Sequence, residues 1–300
     1  MWWLNFVVVA KALSPHVSVN AREVVSLHRD PDVLLLHDVL TAGECEELIE
    51  TALSQGLERS PVAYAGWTKD VAELGRLWAS GPGIWLGLCA VLVAFNVFGM
   101  QDKPHLAAVA AGTWTATTAA ATAAAGAFAQ HRAQGLIQLR TSSSVALQSG
   151  PSPPELKIMR RLAACLPTST PAQFEALTVI RYEPGQSLAP HFDANRVPEE
   201  DLRRGGQTLA TLLVYLTDHL SGGGETRFNR LDLDVSPNRG QACLFFPADA
   251  EGTFDPRLEH EGRPLLGSDD KWIARVWVHA SRVECGGLPP ATLAALGGGS

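Results

Sequence analysis

The chain has 300 residues, enough for one large domain or two small ones with a proper hydrophobic core. Its formal net charge of -7 argues against non-specific nucleic-acid binding, which needs a basic surface. The five cysteines include no Cys-x-x-Cys pair, so the sequence indicates neither a zinc ribbon nor a thioredoxin-type redox pair.

The N-terminal residues 1–12 are almost entirely apolar and end in an Ala-Lys-Ala sequence that resembles a small-residue cleavage site. They lack the basic start of an ordinary secretory signal, and they are too few to span a bilayer. Two interpretations stay open, an atypical signal and a buried strand. We treat residues 1–32 as a separate N-terminal segment.

A strand followed by an amphipathic helix is predicted next. Residues 33–40 are apolar and typical of a strand. Thr41 followed by Glu44 has the pattern of a capping box at the start of a helix. The chain becomes extended again near 57–62, so residues 33–64 are interpreted as the N-terminal part of the main domain.

Residues 65–138 differ sharply in composition from the sequence on either side. Residues 80–100 carry no charge and have the length of a membrane span, whereas 106–130 are rich in alanine and threonine and much less apolar. A polar break at 101–105 would allow the chain to turn back. Three interpretations stay open: a transmembrane hairpin and membrane association across 80–130, a soluble helical insertion, and sequence that is not native.

The sequence after residue 139 predicts a mainly β domain. A helix is expected near 155–166, and the following chain is rich in β-branched and aromatic residues between turn clusters. The clearest strands are 176–182, 208–216, 242–246 and 272–278. Short strands without intervening helices predict a sandwich or jelly roll. The expected fold class is α+β, mainly β: a double-stranded β-helix core over 139–283 with flanking N-terminal helices, an apolar helical insertion and a flexible tail at 284–300.

A His-x-Asp pair at His191 and Asp193 is the first candidate for metal binding. Side chains at i and i+2 of a strand point to the same face, so both can reach one ion. Imidazole plus carboxylate begins the 2-His-1-carboxylate triad, which holds Fe(II) on one face and leaves other positions open. The motif needs a second, distant histidine.

Three later histidines are candidates for this second ligand. His219 lies in a polar turn, and His279 ends a strand whose neighbours look like core, so both have simpler structural explanations. His260 precedes the last strand and is followed by Lys271. A 2-oxo diacid that chelates iron needs a fixed cation for its far carboxylate, and an inward-pointing Lys271 would supply that charge.

These motifs together resemble the prolyl 4-hydroxylase family of Fe(II)/2-oxoglutarate dioxygenases, especially the small plant and algal type. The matching segments are Leu57-Glu-Arg-Ser60, Arg140-Thr-Ser142, Tyr182-Glu-Pro-Gly-Gln186, His191-x-Asp193, Gly205-Gly-Gln207, Leu213-Val-Tyr-Leu216, Gly223-Gly-Glu-Thr226, Asp255-Pro256, His260-x-Gly262-x-Pro264, Lys271-Trp272 and Trp277. They are highly specific in this order and cover about 33–62 and 139–280. Residues 65–137 have no counterpart in the family pattern.

The resemblance implies a role for each matching site residue. It implies that the iron ligands are His191, Asp193 and His260, that Lys271 binds the distal carboxylate of 2-oxoglutarate, that Tyr182 hydrogen-bonds this co-substrate, and that Thr226 and Trp277 line the same pocket. From the residues alone, Tyr182 and Trp277 could equally be strand and core aromatics.

The activity implied by the resemblance is hydroxylation of a peptidyl proline in a polyproline-II segment, with 2-oxoglutarate converted to succinate and CO2. Fe(II), 2-oxoglutarate and O2 are the implied cofactors, with ascorbate as reductant. No nucleic-acid partner is expected. An endoplasmic-reticulum or other endomembrane location, membrane-anchored through 80–130, is the corresponding expectation.

The chain departs from the family pattern at three places. Leu188 stands where the family usually has tyrosine, which affects the expected substrate contacts, and the turn at 267–270 has one extra residue, which a turn tolerates. The most serious departure is the insertion between Val62 and Leu139, where the family has a short loop near the peptide groove. Two alternatives therefore stay open: the same chemistry on another protein side chain or small molecule, and a non-catalytic ligand-binding β-sandwich. Retention of all three metal ligands plus Lys271 favours an enzyme.

Overall fold

The computed structural model describes residues 24–60, 105, 140–148, 150–194, 204–218 and 222–297. Contacts divide the chain into two units, and the first, Met1–Pro61 with Leu139–Ser300, contains every element named below. The predictions for 1–12, for the insertion 65–138 other than His105, and for His219 lie outside the described residues. Within the described ranges, no helix combines the length and apolar character that a membrane span needs.

Strands dominate the described part of the chain. In chain order they are β1 (Val24–His28), β2 (Val33–Leu36), β3 (Glu58–Arg59), β4 (Ser143–Ala146), β5 (Thr178–Tyr182), β6 (Leu188–His191), β7 (Thr208–Tyr215), β8 (Thr226–Phe228), β9 (Leu233–Val235), β10 (Ala242–Phe245), β11 (His260–Gly262) and β12 (Lys271–His279). The four strands predicted most clearly are confirmed as β5, β7, β10 and β12.

The strands form two antiparallel sheets. The larger has the order β1-β2-β10-β7-β12-β5-β4-β3, and the smaller has the order β6-β11-β8-β9. Neighbouring strands in the larger sheet come from distant parts of the sequence. For example, β12 pairs with both β5 and β7. The predicted mainly β architecture with antiparallel sheets and few helices is confirmed.

Helices cover the outer face of the larger sheet. They are α1 (Ala42–Gln55) and α2 (Pro153–Cys165), with a short α3 (Pro290–Ala295) near the C-terminal end. The predicted capping box is present: the Thr41 backbone N–H donates to Glu44 Oε2 at 2.7 Å, and the Glu44 N–H donates to Thr41 Oγ1 at 3.3 Å. Both long helices bury apolar residues in one cluster with the sheet.

The C-terminal segment differs from the flexible tail that was predicted for 284–300. Helix α3 lies within it, and the fully buried Thr292 donates a hydrogen bond to Glu155 Oε1 of α2 at 3.3 Å. A short helix was missed because its sequence is small and proline-rich and has little amphipathic pattern. Pro290 at its start has the fixed backbone geometry that favours the first turn of a helix.

A second apolar cluster fills the space between the two sheets. It joins Tyr215 and Ile273 of the larger sheet to Phe228 of the smaller one, with Phe245 among them. Along β12, Ile273 belongs to this inner cluster, whereas Ala274 and Val276 belong to the helix side. Because strand side chains alternate, every second residue from Lys271 to His279 faces the smaller sheet. This inner face positions the site.

Candidate metal centre

The pairing of β6 with β11 brings two histidines side by side. His260 is the direct cross-strand partner of His191, although 68 residues lie between them in the chain. Their ring centroids lie 4.2 Å apart. Strand β6 ends at His191, so Asp193 is carried by the following bend rather than by the strand, and it still turns toward both rings.

The three predicted ligands converge on one point. His191 Nε2 lies 3.5 Å from Asp193 Oδ1, and His260 Nε2 lies 3.7 Å from Asp193 Oδ2. One ligand atom from each residue lies within 4.8 Å of the others. Among the residues that the structure describes, this is the one group of three His, Cys, Asp or Glu side chains arranged to hold a metal ion.

Burial of the three side chains gives the centre an open side. The Asp193 and His260 side chains are 3% and 5% exposed, whereas that of His191 is 22% exposed. A small ligand therefore reaches the centre past His191. Phe228 and Phe245 pack on His260 from the core, with ring centroids 5.6 Å and 4.8 Å from it, and fix that imidazole.

Backbone carbonyls fix the ring nitrogen that each histidine presents. His191 Nδ1 lies 3.0 Å from Ala189 O, and His260 Nδ1 lies 3.1 Å from Leu258 O. A carbonyl only accepts, so each Nδ1 carries the proton and each Nε2 keeps its lone pair. Burial, and then the charge of His191, lower the pKa of His260 to about 4, so its imidazole is in the neutral form that binds metals.

Asp193 is held as a carboxylate by its neighbours. Burial acts to raise its pKa, but the charge of His260, the hydrogen bond and charge of His191, and the charge of Arg275 outweigh burial and hold the pKa below its usual range. The Thr211 hydroxyl donates to Asp193 Oδ2 at 2.8 Å from strand β7 of the larger sheet. Two imidazoles and one fixed carboxylate fit a divalent iron ion.

Replacing Thr211 by valine tests this support. We expect Thr211→Val to weaken metal affinity about tenfold, because a hydrogen-bond partner of a ligating carboxylate typically contributes this much. Metal dissociation constants from a competition titration with a colorimetric chelator would measure the change. Thr208→Val, at another buried threonine of β7, is the control, and equal affinities in the two variants would contradict the role of Thr211.

Lys271 places a buried cation on the facing sheet. It is 3% exposed, and its Nζ donates to Gly224 O at 2.5 Å. Within the described residues, its ammonium has no ion pair, although Glu225 contributes an attractive charge. Burial lowers the pKa of Lys271 to about 8, and Glu225 partly opposes this. A buried ammonium without a paired carboxylate fits an anionic ligand.

Two tyrosines surround Lys271. Its Nζ lies 5.5 Å from the ring centroid of Tyr182, its cross-strand neighbour, and 5.9 Å from that of Tyr215. The Tyr215 hydroxyl donates to Thr226 Oγ1 at 3.0 Å, which places Thr226 at this end of the site. Burial raises the pKa of Tyr182, against the opposing effects of Arg140 and a hydrogen bond with Ser142, so its phenol remains a donor.

Trp277, His279 and Leu188 complete the set of residues that the sequence analysis singled out. Trp277 is six residues along β12 from Lys271, about 20 Å at the rise of a strand, and its role in the 2-oxoglutarate pocket stays a prediction. His279 is satisfied by Glu175 at 3.1 Å and by Gly206 O at 3.2 Å, in agreement with a structural histidine. Leu188 packs against the inner core from β6.

Sequence reasoning missed three contributors to the site. Thr211 and Tyr215 were missed because both lie inside a strand whose pattern is explained by burial alone. Arg275 was also missed, although a second charge besides Lys271 at an inner-face position of the apolar strand β12 is a signal that could have identified it.

Similarity to known proteins agrees with this geometry. Residues 177–279 match the model of the 2OG-Fe(II) oxygenase superfamily, a range that contains all three converging ligands and Lys271. The superfamily match and the ligand set support Fe(II) as the metal and 2-oxoglutarate as the co-substrate. The match agrees with the enzyme class expected from the sequence, a 2-oxoglutarate-dependent dioxygenase.

Individual relatives carry the name predicted from the motifs. Prolyl 4-hydroxylase 1 of Arabidopsis thaliana is 38% identical over 117 residues, which cover 35% of this chain and 40% of the relative. Prolyl 4-hydroxylase 2 of the same plant is 33% identical over 168 residues, covering 49% and 54%. The chain spans about half the length of the curated relatives it matches.

A crystal structure with a 2-oxoglutarate complex is also similar. It is the viral collagen prolyl hydroxylase of Paramecium Bursaria Chlorella virus-1, with 21% sequence identity and a TM-score of 0.49, covering 82% of this chain and 94% of that one.

Proposed function

We propose that this chain is an Fe(II)- and 2-oxoglutarate-dependent dioxygenase that hydroxylates a peptidyl proline, and that its two sheets form the double-stranded β-helix of such enzymes. The observation that carries the proposal is the convergence of His191, Asp193 and His260 opposite the buried ammonium of Lys271, which has no ion pair among the residues that the structure describes. A binding module has no need for three converging ligands and a separate buried cation. The choice of proline as the target residue rests on the names of the curated relatives, which are prolyl 4-hydroxylases.

Each residue has a defined task in this proposal. His191 and His260 would hold the iron through Nε2, and Asp193 through its carboxylate. Bound iron with 2-oxoglutarate and O2 would supply the oxidising chemistry that hydroxylates a C–H bond and releases succinate and CO2. Lys271 binds the distal carboxylate of the co-substrate, and Tyr182 donates a hydrogen bond to it. The phenylalanines behind His260 exclude water from the core side.

The proposed substrate is a proline-containing polypeptide in an extended, polyproline-II conformation. Such a chain is pre-ordered and loses little entropy on binding. Ascorbate is the proposed reductant that keeps iron in the Fe(II) state. The second candidate is the same chemistry on another side chain, which Leu188 favours because it replaces a polar aromatic contact close to the first ligand.

A turnover assay tests the proposal directly. The full chain with Fe(II), 2-oxoglutarate and ascorbate should release succinate. It should also insert one oxygen atom into a proline-rich peptide, which raises the peptide mass by about 16 Da. His191→Ala should abolish both while keeping the circular dichroism spectrum. Succinate release without any modified proline would favour the second candidate, and full turnover by His191→Ala would refute the enzyme.

Affinity for 2-oxoglutarate should depend on pH through Lys271. Only the ammonium form attracts the distal carboxylate, and a pKa of about 8 means that the proton is largely present at pH 7 and is lost above pH 8. We therefore expect the dissociation constant to rise above pH 8, by up to about tenfold per pH unit. Calorimetric titration of the Mn(II)-loaded protein between pH 6.5 and 9.5 would measure it.

The matched control for this pH profile is Lys271→Arg. A guanidinium stays charged throughout this range, so the variant should show a flat profile even if its affinity is lower. A profile in Lys271→Arg that rises as steeply as that of the unaltered chain would contradict the assignment to Lys271.

We also propose an endoplasmic-reticulum or other endomembrane location, with membrane association through 80–130. The uncharged run 80–100 supports this proposal. Carbonate extraction of cell membranes would test it: full release of the chain into the wash would refute membrane insertion.

A further inference from the structure

A charged pocket lies on the inner face of the larger sheet, and one of its lining residues, Arg275, also acts by its charge on Asp193 of the metal centre. Its volume is about 420 Å3, and residues of β3, β4, β5 and β12 line it. Its charged lining consists of Arg59, Arg140, Arg204, Arg275, Glu58 and Glu175. The lining therefore has an excess of positive charge, in a protein whose overall charge is negative.

Arg275 is the arginine of this pocket whose charge is least compensated. Its Nε is buried and has no hydrogen-bond partner, and it has no ion pair within the part of the chain that the structure describes. Its guanidinium stacks on the Trp277 ring, 3.5 Å from the centroid. The indole Nε1 of Trp277 is likewise buried and has no hydrogen-bond partner among the described residues. Within the described ranges, two adjacent donors thus lack acceptors, which is costly unless a ligand supplies them.

The carboxylate nearest in the lining is already engaged. Glu175 Oε1 accepts from Arg204 Nη2 at 3.0 Å and contacts His279 Nε2 at 3.1 Å. On the other side, Arg140 brings a like charge that, after burial, lowers the pKa of Arg275 to about 10. Both arginines remain charged at neutral pH. A pair of guanidiniums with a free donor is suited to a carboxylate, which the planar fork binds through two hydrogen bonds.

The distance to the metal centre limits where that carboxylate can lie. Trp277 is the cross-strand neighbour of Thr211, whose hydroxyl holds the metal-site residue Asp193. Arg275 is two residues further along β12, about 7 Å at the rise of a strand. A polyproline-II chain advances about 3.1 Å per residue, so a group at Arg275 lies within about two residues of a proline at the metal.

We propose that Arg275, assisted by Arg140, binds an acidic side chain within two residues of the target proline in the substrate polypeptide. The inference rests on the proposed prolyl substrate and adds a charge requirement to it. Arg275 acts as a specificity-determining residue: it selects which proline is presented and takes no part in the oxidation.

Peptide binding to the full chain without added metal tests this inference independently of turnover. Fluorescein-labelled proline-rich peptides would be made in pairs that differ only by Glu or Gln at one position. That position would be one or two residues before or after a central proline. Fluorescence anisotropy should show about tenfold tighter binding of the Glu peptide at one of these positions, the range of a charge-assisted hydrogen bond. Arg275→Gln should remove this preference, and Arg275→Lys should retain part of it.

Arg239→Gln is the matched control, because Arg239 is ion-paired with Glu46 on another part of the surface and should keep the preference. Equal binding of Glu and Gln peptides at all positions, or an unchanged preference in Arg275→Gln, would overturn the inference. If Arg275→Gln fails to fold, Arg275→Lys and the Glu-to-Gln comparison on the unaltered chain still decide it.

Turnover of the same peptides separates the inference from the proposed function. A Glu preference that depends on Arg275, without hydroxylation of either peptide, would support the acidic subsite and refute the prolyl hydroxylase. Hydroxylation of Glu and Gln peptides with equal kcat/KM and equal affinity would refute the subsite and leave the hydroxylase standing.

Discussion

His260→Ala is expected to lower the rate of iron-dependent succinate formation by more than about 100-fold. This is a larger loss than is typical when a residue that only hydrogen-bonds a metal ligand is replaced. The reason is geometric: the two remaining proposed ligands, His191 and Asp193, supply only two of the three positions on one face of an octahedral ion. The buried position adds a structural cost, because Phe228 and Phe245 lose the ring they pack on.

Iron content and succinate release, measured on the same preparation, would check this prediction. His28→Ala is the control, since His28 is a partly buried histidine of β1 that contacts Pro31 O at 2.8 Å and lies outside the centre. His191→Ala should lose as much activity with a smaller loss of stability, because His191 is more exposed. Normal iron content and turnover in His260→Ala would exclude the proposed ligand set.

Lys271→Met is expected to raise the dissociation constant for 2-oxoglutarate by about 30- to 1000-fold, as truncating one partner of a buried charge pair costs about 2–4 kcal/mol. The fold should respond in the opposite direction. Burial lowers the pKa of Lys271, so the ammonium opposes folding at neutral pH, and an apolar chain of similar length should leave the free energy of unfolding unchanged or higher.

Calorimetry with 2-oxoglutarate and urea unfolding of the same variant would check both halves. The combination separates a binding role from a structural one: a variant that binds poorly because it is damaged would also unfold more easily. Unchanged affinity in Lys271→Met would remove Lys271 from the co-substrate site, whatever the stability result.

The placement of the candidate site residues was easier to predict than the architecture around them. His191, Asp193 and His260 converge and Lys271 is buried on the facing sheet, and the roles proposed for them restrict both residue type and order. The placement of β12 between β5 and β7 was not predictable, since strand pairing depends on long-range packing that local patterns do not encode. Helix α1 was predictable because Thr41 and Glu44 encode its start locally.

Thr211 was missed for a physical reason. It acts on Asp193, which is distant in the chain and close only in the fold, so the sequence around Thr211 shows nothing beyond a β pattern. Residues 284–300 show the converse case: a segment without amphipathic pattern acquires a helix because Thr292 reaches Glu155 of α2.

The alternation along β12 has an evolutionary consequence. Its inner-face residues serve different partners: Lys271 Nζ contacts Gly224 O, and Arg275, four positions later, lines the charged pocket. His191, Asp193 and His260 belong to the smaller sheet or to the bend after β6, and they share no backbone with this strand. Under the proposed function, a change at position 275 would therefore alter which peptides are selected without removing any of the three proposed iron ligands, and it would act on the iron site only through the charge beside Asp193.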